Sequence, residues 1–200
     1  SPQTNSSSLY KANFYVMNSD FRVYECIYNG ASPSNSGGGV ISLEEPTHTD
    51  LQPRLESDGY IWKYLYTIKP SDIIKFDSAE FIPVPANWTT NPNVSDVRNA
   101  AVDGKIETIV IEDVTNATYQ FSGTKNAVPI RGDGSDGLAS VTFINGKPSA
   151  VQVTNGGSGY SFGTLDLDDV VTGSGASFSV IVPPPGGHGA DIYRELGANK

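Results

Sequence analysis

The stretch Tyr60-Ile61-Trp62-Lys63-Tyr64-Leu65-Tyr66-Thr67-Ile68 is the densest apolar segment of the chain. Strand alternation puts Tyr60, Trp62, Tyr64 and Tyr66 on one face, and Ile61, Leu65 and Ile68 mostly on the other, so both faces require cover. Such a strand belongs in the middle of a sheet, because at an edge its aromatic stripe would pair with other chains. Pro70 ends it. Ser71-Asp72 then caps a short helix through Phe76, with the aspartate near the positive end of the helix dipole. Phe81-Ile82-Pro83-Val84-Pro85 runs extended, since each proline removes a ladder donor and keeps its neighbour out of the helical basin.

Upstream, Asn13–Met17 and Arg22–Tyr28 are aromatic and β-branched runs bounded by Asn18-Ser19-Asp20 and Asn29-Gly30, and read as two strands of a hairpin. Cys26, the single cysteine, sits within the second run and reads as a small core hydrophobe. Ala31 to Gly39 is Ser- and Gly-rich and reads as a mobile loop. Downstream, Asn91 to Val97 is polar and loop-like, and a boundary is placed there. Beyond it Gly104–Ile111 lines up with Gly146–Val153, and Gly134–Val141 with Gly173–Val180, an internal repeat with a period of roughly 40 residues. One copy alone would leave an apolar face bare; two would pack into a small sandwich or barrel. Pro183-Pro184-Pro185-Gly186-Gly187 reads as a stiff segment followed by a hinge.

The fold expected is therefore mainly β with minor helix. An antiparallel β-sandwich core occupies residues 1–98, a glycine-rich two-copy β-repeat module residues 99–185, and residues 186–200 begin a following segment. The absence of an initiator methionine and the ending at Gly197–Lys200 read as those of a fragment.

Composition narrows the function classes. The chain carries 13 Lys+Arg against 22 Asp+Glu, a formal net charge of −9, so its average field repels phosphate backbones and anionic surfaces. Neither nucleic acid nor membrane is an expected partner, and no apolar run approaches the roughly 20 residues needed to span a bilayer. Charged residues are only 18 %, while Gly (21) and Pro (13) are abundant, the usage of short strands joined by many turns.

Catalytic chemistry is poorly supplied. His48 and His188 are the only histidines, so a triad or multi-histidine metal site would need distant partners that no local spacing marks. His48, in Glu44-Glu45-Pro46-Thr47-His48-Thr49-Asp50, reads as a solvated loop residue, and His188, between two glycines, as a pivot or interface residue. Asp166-Leu167-Asp168-Asp169 and Arg131–Gly137 resemble fragments of calcium loops. Counting from Asp133, however, the position of the bidentate acid holds Ile144, so Asp133 and Asp136 read as turn residues. Gly156-Gly157-Ser158-Gly159-Tyr160 lacks the lysine of a phosphate loop and reads as a tight turn with Tyr160 folded back onto the sheet. No catalytic residue, metal or cofactor is assigned.

The segment Ser57–Pro70, containing Asp58-Gly59-Tyr60-Ile61-Trp62-Lys63-Tyr64-Leu65, resembles a strand of the baseplate wedge subunit of T-even-type contractile-tailed bacteriophages, the family of the product of gene eight. Phe81–Pro85 is similar to the stretch that follows it there, and Arg22–Ile27 to the strand before it. The likeness covers roughly residues 9 to 90, and the glycine-rich repeat is similar to modules of marine T-even-like phage virion proteins. This resemblance implies a β-rich, dimer-forming scaffold of the virion, assembled in the host cytoplasm, that packs against other wedge proteins without catalysis or cofactor. The expected core and interface candidates are Tyr60, Trp62, Tyr64, Tyr66 and Phe81, with the 104–182 module as a peripheral decoration. Two rival readings are open. A carbohydrate-binding or adhesin module of a tail fibre would carry a row of exposed aromatics. A glycan-degrading enzyme would carry two carboxylates facing each other across a cleft at roughly 5 to 10 Å.

Overall fold

The computed structural model describes residues 14–30, 40–76, 78 and 81–197. They fall into two compact units, the first built from residues up to 101 together with those from 188 onward, the second from Val102–Gly187. Both are mainly β, with antiparallel sheets, and the helices are few and short. The expected loop Ala31 to Gly39 and the start of the first strand, at Asn13, lie outside the described residues.

In the first unit β1 (Tyr15–Met17), β2 (Arg22–Asn29), β3 (Arg54–Leu55) and β4 (Tyr60–Thr67) form one antiparallel sheet in the order β1-β2-β4-β3. Asn18 builds the hairpin: its Oδ1 accepts from the Asp20 and Arg22 N–H groups at 3.0 and 2.9 Å, letting Phe21 adopt φ 59°. The aromatic strand β4 is interior, with β2 on one side and β3 on the other. Its alternation breaks once. Val23 faces Tyr66 while Tyr24 faces Tyr64, which leaves Leu65 as the extra residue of a bulge, and a bulge resets which way side chains point. Tyr60 and Trp62 accordingly pack with Tyr24 and Cys26, whereas Tyr66 joins Val23, Leu65 and Trp88. The single stripe of four aromatics is thus divided between two clusters.

Two expectations for this unit need correction. Asn91 to Val97 is a 3-10 turn (Pro92–Val94) leading into α2 (Ser95–Ala100), which follows α1 (Pro70–Phe76). Asn91 caps it by accepting from the Asn93 N–H, Pro92 has the φ a first helical position needs, and Val94 and Val97, three apart, are buried. Second, residues from 188 onward begin no separate segment. Asp191 caps α3 (Ile192–Glu195), and Ile192 and Leu196, four apart on one helical face, complete the cluster of Val23, Leu65, Tyr66 and Trp88. Trp88 Nε1 donates to the Gly189 carbonyl at 2.9 Å. Among the described residues the unit therefore has one sheet, covered by short helices and loops where a sandwich would place a second sheet.

The second unit holds β5 (Thr108–Asp113), β6 (Gly123–Gly132), β7 (Ser135–Ile144), β8 (Lys147–Ser158), β9 (Gly163–Leu165) and β10 (Ser177–Ile181). Pairings are nested: β7 with β8, β6 with β9, β5 with β10, with β6 also beside β7. If β5, β6 and β7 make one copy of the repeat and β8, β9 and β10 the other, every one of the three nested pairs joins strands of different copies. Exchanging the copies maps this set onto itself, so each copy closes the bare edge of the other. At the centre of the nest Asn145 and Gly146 both have positive φ, as a two-residue hairpin turn requires.

Gly156, Gly157 and Ser158 are the last residues of β8 and not the tight turn expected of them. A Cβ on Gly156 would lie 2.3 Å from the Ile106 carbonyl oxygen, and one on Gly157 2.1 Å from that of Ser135, so the glycines admit neighbouring backbone. Tyr160 is buried over them. Its hydroxyl donates to the Ile130 carbonyl at 3.0 Å and accepts from the Gly137 N–H at 3.1 Å.

Candidate functional site

Of the aromatic candidates, Tyr60, Trp62 and Tyr66 are buried and Tyr64 is half-buried. Tyr60 stacks on Trp62 with centroids 5.4 Å apart, and Tyr66 meets Trp88 edge-on at 6.2 Å. Their hydroxyls are used internally, Tyr60 donating to the Val40 carbonyl and Tyr66 to that of Pro83. Phe81 differs: it is 69 % exposed, and on α1, which buries no residue, Ile74 and Phe76 are 86 % and 63 % exposed. A cavity of about 280 Å³ is lined by Tyr66, Lys69, Asp72, Pro83 and Asn91 among others. Asp72 is the single acid in that lining, so the cavity holds no facing carboxylate pair.

The polar candidates fall into three sets. His48 is buried and not a solvated loop residue. Its ring lies edge-on to Tyr24 at 5.4 Å and its carbonyl accepts from the Tyr24 hydroxyl, and burial lowers its pKa against the opposing charges of Asp50 and Glu56. Asp133 is occupied by its own chain, accepting from the Ser161 hydroxyl and from the Ser161 and Phe162 N–H groups. Those bonds hold its pKa at about 2. Asp166 and Asp169 both pair with Arg131, and Asp166 also accepts from the Asp168 N–H. Cys26 is buried, and burial raises its thiol to about 12, the setting of an inert core residue.

The third set was not marked by any local spacing. Glu25, in the middle of β2, faces Lys63 in the middle of β4, and the segment after Gly187 brings His188 and Glu195 to the same place. His188 Nδ1 lies 3.0 Å from Glu25 Oε2 and 4.0 Å from Glu195 Oε2. Glu195 Oε1 accepts from the Gly189 N–H at 2.7 Å, while Oε2 is buried with no hydrogen bond of good geometry. Burial first, and then the negative charge of Glu25 with its carboxylate as a hydrogen-bonding neighbour, push the Glu195 carboxyl well above the ordinary carboxylate range; the Gly189 N–H and the Lys63 charge pull the other way. Lys63 is itself buried and its amine donates to the Leu51 carbonyl. Glu25, His188 and Glu195 form the group among the described residues whose metal-ligating atoms all lie within 4.8 Å of one another. His188 is thus a buried member of this cluster, not a pivot. The sequence does carry a signal for it, since Glu25 and Lys63 are charges inside otherwise apolar strands, but not for the meeting with His188, 163 positions from Glu25.

Fold and site together define a mainly β protein of two units, the first of which encloses an ionisable cluster. Compared with known proteins, the chain matches no family model, no curated protein and no solved structure. Among the described residues no helix is long and apolar enough to cross a membrane.

Proposed function

We propose that this chain is a structural subunit of a contractile bacteriophage tail baseplate, acting by packing against a second copy of itself and against other wedge proteins. The observation that carries the reading is the exposure of Ile74 and Phe76, on a helix with no buried residue of its own, and of Phe81 in the segment beyond that helix. Large apolar side chains held in water have a use where a partner covers them, and aromatic residues supply much of the energy of such contacts. The resemblance of Ser57–Pro70 and Phe81–Pro85 to the wedge family supports the same reading. Burial of Tyr60, Trp62 and Tyr66 leaves those rings no face for a sugar to stack on, which weighs against the adhesin alternative. Glu25 and Glu195 do not resemble a glycosidase pair, since Glu195 is buried rather than facing a cleft.

Light scattering on size-exclusion fractions tests the proposal. The unaltered chain is expected to run as a dimer, and the Phe76→Ser/Phe81→Ser double variant as a monomer with unchanged thermal stability. A monomeric unaltered chain that also fails to bind wedge proteins overturns it.

A further inference from the structure

We infer that Glu25, His188 and Glu195 form a binding site for one divalent transition-metal ion, with zinc as the best fit. The ligating atoms are one oxygen from each carboxylate and the imidazole Nδ1. This inference is independent of the baseplate reading. Tetrahedral zinc with bonds of about 2.0 to 2.1 Å has ligand atoms roughly 3.3 Å apart. The 3.0 and 4.0 Å separations from His188 Nδ1 to the two carboxylates straddle that edge length.

A second observation points to a ligand. Glu195 is only 5 % exposed, and its Oε2 has no hydrogen bond of good geometry, although buried polar atoms are almost always bonded. Besides the imidazole it faces the Glu25 carboxylate, and two carboxylates so close require a proton or a cation between them. The other oxygen is fixed by the Gly189 N–H, so the carboxylate is oriented with one lone-pair edge free, as outer-shell bonds orient metal ligands. Three protein atoms leave a fourth position for water.

The donor set selects among ions. One imidazole and two carboxylate oxygens suit zinc or another late transition metal, whereas calcium and magnesium require six or more oxygen ligands or retained waters. The consequence for the fold is a clamp: an ion here ties the segment from His188 to Glu195 onto β2.

The test uses the full chain after stripping with a chelator. Zinc titration by calorimetry is expected to give one ion per chain, cobalt to give the intense visible absorption of a tetrahedral site, and zinc to slow hydrogen exchange at residues 22–29 and 188–197. Glu195→Gln keeps the shape of the carboxyl and the bond to Gly189, and is expected to weaken zinc binding by more than about tenfold, the scale that loss of an outer-shell partner alone reaches. His188→Gln should do the same. Asp166→Asn/Asp169→Asn, in the exposed acidic loop of the second unit, should leave it unchanged. No uptake by the unaltered chain, no slowing of exchange in those two segments, or uptake removed by the loop variant but not by Glu195→Gln overturns the site and leaves the cluster a pair of carboxyls sharing a proton.

Discussion

In the first unit His48, Lys63, His188 and Glu195 are all buried, while in the second the buried polar residue is Thr108, a neutral hydroxyl, and the enclosed charge of Glu107 is paired with nearby Lys105. The second unit instead brings backbone against backbone, with Gly104, Gly156 and Gly157 each placed where a Cβ would meet a main-chain atom at 2.3 Å or less. Each buried ion costs several kcal/mol unless its partners are in place, so the first unit is sensitive to protonation and to anything that binds the cluster. Close backbone approach has no such dependence, and the second unit is sensitive to shape. Hydrogen exchange resolved by peptide reads the two units separately, where one melting curve would merge them.

The largest effect is expected from Trp88→Ala. Trp88 is fully buried, packs edge-on to Tyr66 and bonds to Gly189, so its loss should destabilise the first unit by about 3–5 kcal/mol, with exchange in residues 188–197 rising first. Next comes Gly157→Ala. It adds a Cβ 2.1 Å from the Ser135 oxygen at a residue with φ 61°, and should destabilise the second unit by about 3 kcal/mol through strain and overpacking together. Peptides of the first unit should keep their exchange rates; equal loss in both would mean that the two units do not differ in what holds them. Tyr160→Phe removes the hydroxyl that serves Ile130 and Gly137. It should cost about 1–3 kcal/mol, the penalty of buried groups left without a partner, again within the second unit.

Sequence reading reached the parts that local chemistry dictates. The strand at Tyr60–Thr67, the hairpin around Asn18, a short helix ending at Phe76 and the buried Cys26 all depend on neighbours a few positions away, and the turn-rich composition places the class as mainly β. The helix itself opens at Pro70, with the Lys69 carbonyl and not Ser71-Asp72 taking its first bonds. What it missed depends on distant contacts or on a single inserted residue. The bulge at Leu65 moves Tyr66 to another cluster, and strand periodicity alone contains no sign of it. Val94 and Val97 offer too few apolar positions to reveal a helix until Trp88 and Ile192 are there to cover them. Gly156 and Gly157 look like turn formers because the close approach that requires them comes from Ile106 and Ser135. The cluster of Glu25, His188 and Glu195 exists only once the C-terminal segment returns to β2.

The smallest effects, and the sharpest contrast, concern pH. In chelator-treated protein the Glu195 carboxyl is held above its unfolded value by burial and by Glu25, with Lys63 and the Gly189 N–H opposing, and His188 alongside. A folded pKa that is raised means the folded state keeps a proton the unfolded chain gives up. The contribution is complete below the ordinary carboxylate range and declines as pH rises toward the raised folded value. Asp133 has the opposite sign. Hydrogen bonds from Ser161 and Phe162 hold its pKa at about 2, below the ordinary 3.8, so its contribution is present above pH 3.8 and is lost as pH falls toward 2. Exchange in residues 22–29 and 188–197 should therefore quicken from pH 5 to pH 9 after correction for the intrinsic rate, and that in residues 130–137 and 158–165 should not. Below pH 4 the order should reverse, with the 133–161 tie loosening first. Glu195→Gln should abolish the alkaline trend in the first unit and Asp133→Asn the acid trend in the second. If either variant altered both trends, the protonation of one unit would be coupled to the stability of the other.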